Sequence, residues 1–301
     1  MIFLKAHGSQ KRNHLLVLSG FFGILAPYFK PCSAFHIKHE ICIGLTQHTA
    51  SKPIVSIVIA THDRPKHLKQ CIAKIRENVS VSHEIIVVGS SNDGHTARWV
   101  AAQSDIRFIK ETQREGAARA YDKGLRAATG KYVMWLNDDS YPLPGAVEAA
   151  IHTLKRPDLS DIGMVAFYHS HDREWNRLDS VEHEGITYSI YNVRGVPYAN
   201  FGLLRRDLLQ EVDYLDLRYY FAAWDPDLSL KIQREAGLKV IGCPDALIYH
   251  EEFFDDRKAS DLPIQEEDNH KLFEKWQLPE KSSYEDPAPA YQAIVQELAR
   301  V

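Results

Sequence analysis

Cysteine is scarce in this chain. The 301 residues include only four, Cys32, Cys42, Cys71 and Cys243, and no two of them form a CxxC pair. Scattered cysteines are typical of reduced thiols in a cytosolic protein, so the sequence predicts neither a disulfide framework nor a zinc site. The sequence also has no internal repeat and no low-complexity tract. Its hydrophobic content of 45% and charged content of 25% indicate an ordinary soluble globular protein.

Two glycine-rich phosphate-binding motifs are missing as well. The first predicted strand, Ile54–Ala60, is followed by residues 61–64 (THDR) and not by GxGxxG, so a dinucleotide cofactor is not expected. There is also no GxxxxGK[ST] motif in the sequence. A protein that binds phosphates without such a loop needs another source of positive charge, and a divalent cation held by carboxylates is one.

The main part of the chain lacks basic character. Residues 1–50 contain five Lys or Arg and one Glu, a net charge of +4, whereas the whole chain has −4. The remainder therefore carries −8. Because this part is acidic and has no basic stripe interleaved with aromatics, we expect no nucleic acid as the main partner.

The N-terminal apolar run is too short to span a membrane. It covers Leu15–Phe29 and follows Lys5, Lys11 and Arg12, so it imitates a signal peptide or short anchor, but a spanning helix needs ~20 apolar residues. Three interpretations stand, in order of preference: a dispensable extension or mis-assigned start, a weak membrane-associating segment, and an export signal. We predict that residues 1–52 lie outside the fold.

From Pro53 onward, apolar strands alternate with amphipathic helices. β-branched runs such as Ile54–Ala60 are typical of parallel strands that are covered on both faces. The predicted strands are Ile54–Ala60, Glu84–Val88, Ile106–Ile109 and Tyr132–Leu136, and the helices between them lie near Leu68–Val79, Thr96–Ala102 and Glu115–Ala128. This alternation predicts an α/β fold with a parallel, doubly wound sheet.

Polar residues follow three of these strands. They are residues 61–64 (THDR), 89–94 (GSSNDG) and 137–139 (NDD). In open α/β sheets ligands bind beyond the carboxyl ends of the strands, so these segments should line one crevice. For the NDD triplet, a solvated turn is as plausible as a binding site on residue types alone. Its place at a strand end favours binding.

Segments across residues 53–276 resemble a known protein family. They are SIVIATHDRPKHLKQCI, EIIVVGSSNDG, REGAARAYDKGLRAATGKYVMWLNDDSYPLPGAV, FGLLRRDLL and WDPDLSLKIQREAGLKVIGCPDALIYHEE. In their order and spacing they resemble the family 2 glycosyltransferases of the GT-A fold. The resemblance implies a Rossmann-like, mostly parallel sheet flanked by helices. It divides the domain into a nucleotide-sugar half, 53–145, and a mixed acceptor half, 146–250, followed by a helical tail, 277–301.

The resemblance also implies a metal site. Asn137, Asp138 and Asp139 stand where the family carries its DxD motif, with Asn in place of the first Asp. By this likeness Asp139 binds a divalent cation, Mn²⁺ or Mg²⁺, that bridges the two phosphates of the donor, while Asn137 or Asp138 lies near the ribose. His250 matches the second metal ligand of the family. A lone histidine is more often structural, and imidazole suits Mn²⁺ better than Mg²⁺.

Asp225 matches the family's catalytic base. A carboxylate there would take the proton of the acceptor hydroxyl as its oxygen attacks the anomeric carbon. A second interpretation is local, because Asp225 followed by Pro226 is also a good helix start with Asp as N-cap. Relatives often have Glu before the base, whereas this chain has Trp224. That ring could stack on a sugar on the acceptor side or fill the core.

The sequence departs from the family after the second strand. Relatives often have DDGS there, with an Asp that contacts the base, but this chain has Gly89 and Ser90. The base of the donor is therefore not predicted. Thr61 belongs to the same crevice, and His62 and Arg64 could face the base and the phosphates. A solvated loop is the alternative for the last two.

The acceptor half shows a less regular pattern. Strands are predicted at Ile162–Phe167, Ile186–Tyr191, Asn200–Leu204 and Ala246–Tyr249, and helices at Glu266–Trp276 and Tyr291–Val301. Residues 169–174 (HSHDRE) are interpreted as a solvated loop over the acceptor groove rather than as a metal site.

The sequence thus predicts a metal-dependent, inverting glycosyltransferase. Its partners would be a nucleoside-diphosphate sugar and a hydroxyl of a glycan or lipid-linked acceptor. A cytoplasmic location follows because sugar nucleotides are made in the cytosol, and a lipid-linked acceptor would add contact with the inner membrane face. The alternatives are a catalytically silent module that binds a nucleotide sugar or a protein, and a sugar-phosphate nucleotidyltransferase. The second lacks its glycine-rich, arginine-bearing loop here.

Overall fold

The computed structural model of the chain describes residues 52–91, 94–170, 176–251 and 256–278. The predicted extension up to Ser51 and the predicted helix Tyr291–Val301 lie outside these ranges. The longest described helix has 21 residues. Across the described ranges, no helix combines the length and the apolar character that crossing a membrane requires.

The first half is the predicted parallel sheet. Its strands are β1 (Val55–His62), β2 (His83–Ser90), β3 (Ile106–Lys110) and β4 (Tyr132–Asn137), and its helices are α1 (Pro65–Asn78), α2 (His95–Ala101) and α3 (Ala117–Ala127). The strand order is β3-β2-β1-β4 and every pairing in it is parallel. All four predicted strands and all three helices are therefore confirmed, with ends shifted by at most three residues.

Strand β1 shows why this half folds as predicted. Successive side chains point to opposite faces of a sheet, so Ile57 and Ile59 pack with Leu68 of α1, whereas Val58 packs with Leu125 of α3. All five side chains are fully buried. Burial of an Ile or Leu side chain contributes about 1.5–3 kcal/mol. A β-branched run with a helix on each face is the most stable arrangement for such a strand.

The second half extends the same sheet with mixed strand directions. Its elements are β5 (Ser140–Pro142), α4 (Ala146–Lys155), β6 (Ile162–His169), β7 (Arg177–His183), β8 (Ile186–Val193), β9 (Val196–Tyr198), β10 (Gly202–Arg205), α5 (Arg206–Glu211), α6 (Trp224–Leu230), β11 (Lys239–His250) and α7 (Asp256–Trp276). The order continues as β4-β10-β6-β11-β5. Strand β10 is antiparallel to both neighbours, and β11 is parallel to β6. Strands β7, β8 and β9 form a meander that joins the sheet through β8.

Three expectations for this half were wrong or incomplete. The strand predicted at Ala246–Tyr249 is the end of the 12-residue β11, whose pairing with β6 is irregular between Cys243 and Leu247. Strands β5, β7 and β9 were not predicted, because they are short or polar. His169, assigned to a solvated loop, is the last residue of β6 and only 3% exposed. Residues 171–174 of that predicted loop lie outside the described ranges.

Candidate active site

A cavity of about 780 Å³ lies at the carboxyl ends of β1, β2 and β4. It is lined by all ten residues that the sequence analysis assigned to donor, acceptor or metal binding: Thr61, His62, Arg64, Ser90, Asn137, Asp138, Asp139, Trp224, Asp225 and His250. The strand ends therefore meet at one crevice, as predicted. The role of each residue stays a prediction.

Arg64 is the main positive partner of the two adjacent carboxylates. Asp138 and Asp139 are 4% and 5% exposed. Arg64 Nη1 lies 3.0 Å from Asp138 Oδ1 and 2.7 Å from Asp139 Oδ2, and Thr61 Oγ1 donates to Asp138 Oδ2 at 2.7 Å. Burial lowers the pKa of Arg64, but the two carboxylates outweigh it and raise that pKa. This buried position argues against the solvated loop as an interpretation of Arg64. Its expected role toward the phosphates stays a prediction.

Asp139 also faces two other cationic or ligating groups. Its Oδ1 lies 3.3 Å from His250 Nε2, and its Oδ2 lies 3.8 Å from Lys258 Nζ of α7. Burial raises the pKa of Asp139, but His250 and Arg64 outweigh this effect and hold that pKa well below its usual range. The carboxylate is therefore ionised at neutral pH and available to a cation.

The geometry of Asp139 and His250 fits a divalent ion. Asp139 Oδ1 is buried and has no other partner for a hydrogen bond in the part of the chain that the structure describes, and it lies 3.3 Å from His250 Nε2. Two adjacent ligands of an octahedral ion with bonds of ~2.1 Å are about 3 Å apart. Within the described ranges, no group of three or more His, Cys, Asp and Glu converges on a metal position. Two protein ligands leave the remaining positions for oxygens of a bound molecule.

Asn137 is held by a residue that the sequence analysis did not assign to the site. Tyr121 of α3 donates from its hydroxyl to Asn137 Oδ1 at 2.8 Å, and burial raises the pKa of that hydroxyl well above its usual value. Asn137 Nδ2 lies 3.4 Å from His250 Nε2. The helical spacing of Tyr121 predicted that it faces the sheet, but not that its hydroxyl reaches the end of β4.

Asp225 is positioned by an amide and not by a helix cap. The helix begins at Trp224 with Ala223 as its N-cap residue, and the cap makes no side-chain hydrogen bond. The N-cap interpretation of Asp225 was therefore wrong. Instead, Asn200 Nδ2 donates to Asp225 Oδ2 at 3.0 Å. A carboxylate accepts hydrogen bonds and does not donate them, so the amide group of Asn200 points its NH2 end at Asp225. The oxygen at the other end, Asn200 Oδ1, is an acceptor and lies 3.1 Å from Nε2 of the buried His169.

Trp224 packs into an aromatic cluster. It is 6% exposed, and its ring centroid lies 4.5 Å from that of Tyr121 and 5.5 Å from that of Trp135. Aromatic pairs at 4.5–7 Å are favourable contacts. Of the two interpretations of Trp224, this arrangement supports core filling, although the residue also lines the cavity.

The end of β2 is too close to β1 for a side chain at position 89. A Cβ atom on Gly89 would lie 2.3 Å from Thr61 O, so this backbone admits only glycine at position 89. The next residue, Ser90, contacts His62 instead, with 2.9 Å between its Oγ and His62 Nδ1. Both side chains line the cavity.

Helix α7 holds the segment in front of Asp225. The carboxylate of Asp268 is fully buried and accepts three backbone N–H groups, from Tyr220, Phe221 and Ala222, at 2.8–3.0 Å. Trp276 Nε1 donates to Asp227 Oδ1 at 2.7 Å. The sequence predicts part of this helix but not its role. One feature indicates that Asp268 is buried: it lies four residues before the buried Leu272 and thus on the same helix face.

Comparison with known proteins agrees with this geometry. A model of glycosyl transferase family 2 matches residues 56–213. An uncharacterized glycosyltransferase, YwdF, from Bacillus subtilis (strain 168) is 24% identical over 211 residues, which cover 69% of this chain and 78% of that protein.

Two solved structures show a similar fold. A mannosyltransferase from Pyrobaculum calidifontis, PcManGT, in complex with GDP-Man and Mn²⁺, has a TM-score of 0.52 and 18% identity, over 84% of this chain and 82% of that one. GalNAc-T7 with UDP, GalNAc and Mn²⁺ has a TM-score of 0.58 and 12% identity, over 75% of this chain and 48% of that one. The predicted GT-A fold is confirmed. Because the family model matches more than half of the chain, the protein belongs to glycosyl transferase family 2 and is a glycosyltransferase.

Proposed function

We propose that this glycosyltransferase moves a sugar from a nucleoside-diphosphate sugar to an acceptor hydroxyl, with inversion and with a divalent cation. The observation that carries the proposal is that Asp139, His250 and Asp225 line one cavity with Thr61. The same cavity then has ligands for a cation and a carboxylate suited to a base. A glycan or lipid-linked acceptor and a cytoplasmic location with peripheral membrane contact belong to the same proposal.

The donor diphosphate would lie next to Asp139. Asp139 and His250 would hold Mn²⁺ or Mg²⁺, which would neutralise the charge of the departing nucleoside diphosphate. Arg64 keeps Asp139 in place by its 2.7 Å ion pair, and Asn137 is fixed by Tyr121. Lys258, 3.8 Å from Asp139 Oδ2, adds a positive charge at the same end of the cavity.

The acceptor would approach Asp225. Asp225 would take the proton of the acceptor hydroxyl while the hydroxyl oxygen attacks the anomeric carbon. This is a single displacement, and a single displacement inverts the configuration at that carbon. Asn200 orients Asp225 by its 3.0 Å hydrogen bond.

A change of Asn200 to Ala should slow transfer and leave donor binding unchanged. A hydrogen bond to a charged group contributes ~1.5–3 kcal/mol, so we expect kcat to fall about 10- to 100-fold. The backbone oxygen of Asn200, which accepts from Trp135 Nε1 at 2.7 Å, remains in the variant. A matched control is Gln265→Ala, which removes another amide of the cavity wall. A normal kcat in Asn200→Ala would show that Asp225 needs no such support.

A silent nucleotide-sugar or protein-binding module is the second candidate. The observation in its favour is that Arg64 forms ion pairs with both carboxylates, so the acidic pair has a positive partner without any metal. Asn137, Ser90 and Trp224 also depart from the family pattern. Donor binding without turnover would favour this candidate. The nucleotidyltransferase alternative has no supporting contact in the cavity.

The proposal is tested by hydrolysis and binding assays with UDP-, dTDP- and GDP-sugars. We expect Mn²⁺ to stimulate slow hydrolysis of one donor class and EDTA to abolish it, because water can replace the acceptor at Asp225. Calorimetry with the same donors measures binding separately. No binding of any donor with Mn²⁺ present would contradict the proposed function.

A further inference from the structure

Glu111 is a buried carboxylate in the cavity wall that the proposed mechanism does not use. It follows β3 directly, lines the cavity and is 6% exposed. Its backbone N–H donates to Gly89 O at 2.9 Å, which ties the end of β3 to the end of β2. A carboxylate is costly to bury unless its oxygens find donors.

Only one of the two carboxylate oxygens has a donor from the protein. Lys123 Nζ lies 2.8 Å from Glu111 Oε1 and 2.6 Å from Glu115 Oε1. In the described part of the chain, Glu111 Oε2 accepts no hydrogen bond, and it is not among the fully enclosed unsatisfied atoms. The second oxygen is therefore an acceptor that a bound molecule can reach.

The position of Glu111 fits the nucleoside end of the donor. Asp139 follows β4 and Glu111 follows β3, and these strands are three steps apart in the order β3-β2-β1-β4. Strands are spaced ~4.8 Å apart, so the two carboxylates are separated by about 14 Å along the sheet edge. Thr61, His62 and Ser90 line the cavity between them. If the diphosphate lies at Asp139, the ribose and base extend toward Glu111.

We infer that Glu111 Oε2 accepts a hydrogen bond from the N3–H of a uracil or thymine base in the donor. The inference rests on the proposed function, and it names the donor class. A carboxylate accepts and does not donate, so it suits a pyrimidine with a protonated N3 and repels cytosine, whose N3 is itself an acceptor. Guanine offers two adjacent donors that pair best with both oxygens of one carboxylate, but Lys123 already donates to Oε1, so the open Oε2 suits a single donor better.

Binding of UDP, dTDP, CDP and GDP to the full chain with Mn²⁺ tests the inference. We expect UDP or dTDP to bind about 10- to 100-fold more tightly than CDP, the effect of one hydrogen bond to a charged group. Comparison of UDP with dTDP identifies which of the two bases is preferred. In Glu111→Gln the amide can donate to the N3 of cytosine, so the preference over CDP should fall to about one.

Glu115→Gln is the matched control. This substitution also removes one negative charge that pairs with Lys123, but Glu115 does not line the cavity. The preference for UDP over CDP should therefore persist. N3-methyl-UDP on the unmodified protein tests the same contact without a substitution, and it should bind as weakly as CDP. The inference is overturned if CDP or GDP binds best, if N3-methylation has no effect, or if Glu111→Gln keeps the normal preference. In those cases the nucleotide still binds, so the proposed function stands; failure of all four nucleotides to bind overturns both.

Discussion

Asp225→Asn is expected to lower the transfer rate about 100- to 10,000-fold, the usual contribution of a general base. The affinity for the donor should not change, because the carboxylate acts only as the acceptor attacks. An amide of the same shape still occupies the space beside Asn200 but does not take a proton at neutral pH. Single-turnover transfer and donor calorimetry measure the two quantities separately.

The control for this substitution is Asp245→Asn. Asp245 is exposed on β11 and does not line the cavity, so the variant changes the net charge equally without touching the site. Its transfer rate should match that of the unmodified protein. If Asp225→Asn retains full activity, another group takes the proton, and the assignment of the base is wrong.

Asp139→Asn should weaken Mn²⁺ and donor binding together, by at least about 100-fold. Loss of a group that only supports a metal ligand already costs 10- to 100-fold in affinity, and Asp139 is proposed as a ligand itself. The unmodified protein in EDTA should show the same weak donor binding as the variant. The measurement is a donor titration at several Mn²⁺ concentrations.

The folding of this variant needs its own measurement. Asp139 and Arg64 form a buried ion pair, and removal of one partner from such a pair costs about 3–5 kcal/mol. Asp138 remains as a partner of Arg64, so we expect the variant to stay folded with a lower melting temperature. Equal donor affinity in Asp139→Asn and the unmodified protein, with and without EDTA, would remove the metal from the mechanism.

The parallel half and its crevice were predictable from the sequence. Runs such as Ile54–Ala60 can form all their backbone hydrogen bonds and bury both faces only as interior strands of a sheet. The order of strands and helices along the chain then limits the possible topologies. That topology brings the NDD triplet beside residues 61–64. All ten candidate residues therefore line the cavity, although they are spread over nearly 190 positions of the chain.

The partners of those residues were not predictable in the same way. Asn200, His169 and Tyr121 show no local pattern that links them to the site, and each depends on how strands and helices distant in sequence pack. Asp225 illustrates the limit. Its local sequence is typical of an N-cap, yet the helix begins two residues earlier than that cap predicts, and the side chain turns to Asn200.

The sequence by itself determined the α/β class, the strand ends that meet, and the residue types able to bind a cation and take a proton. These follow from periodicity and from the chemistry of side chains, which are local properties. Only the tertiary structure decided that Arg64 pairs with both members of the acidic pair, that α7 holds the segment before Asp225, and that Glu111 leaves one oxygen open to the cavity. The first two are contacts between residues far apart in the chain, and all three depend on the packing of the whole domain.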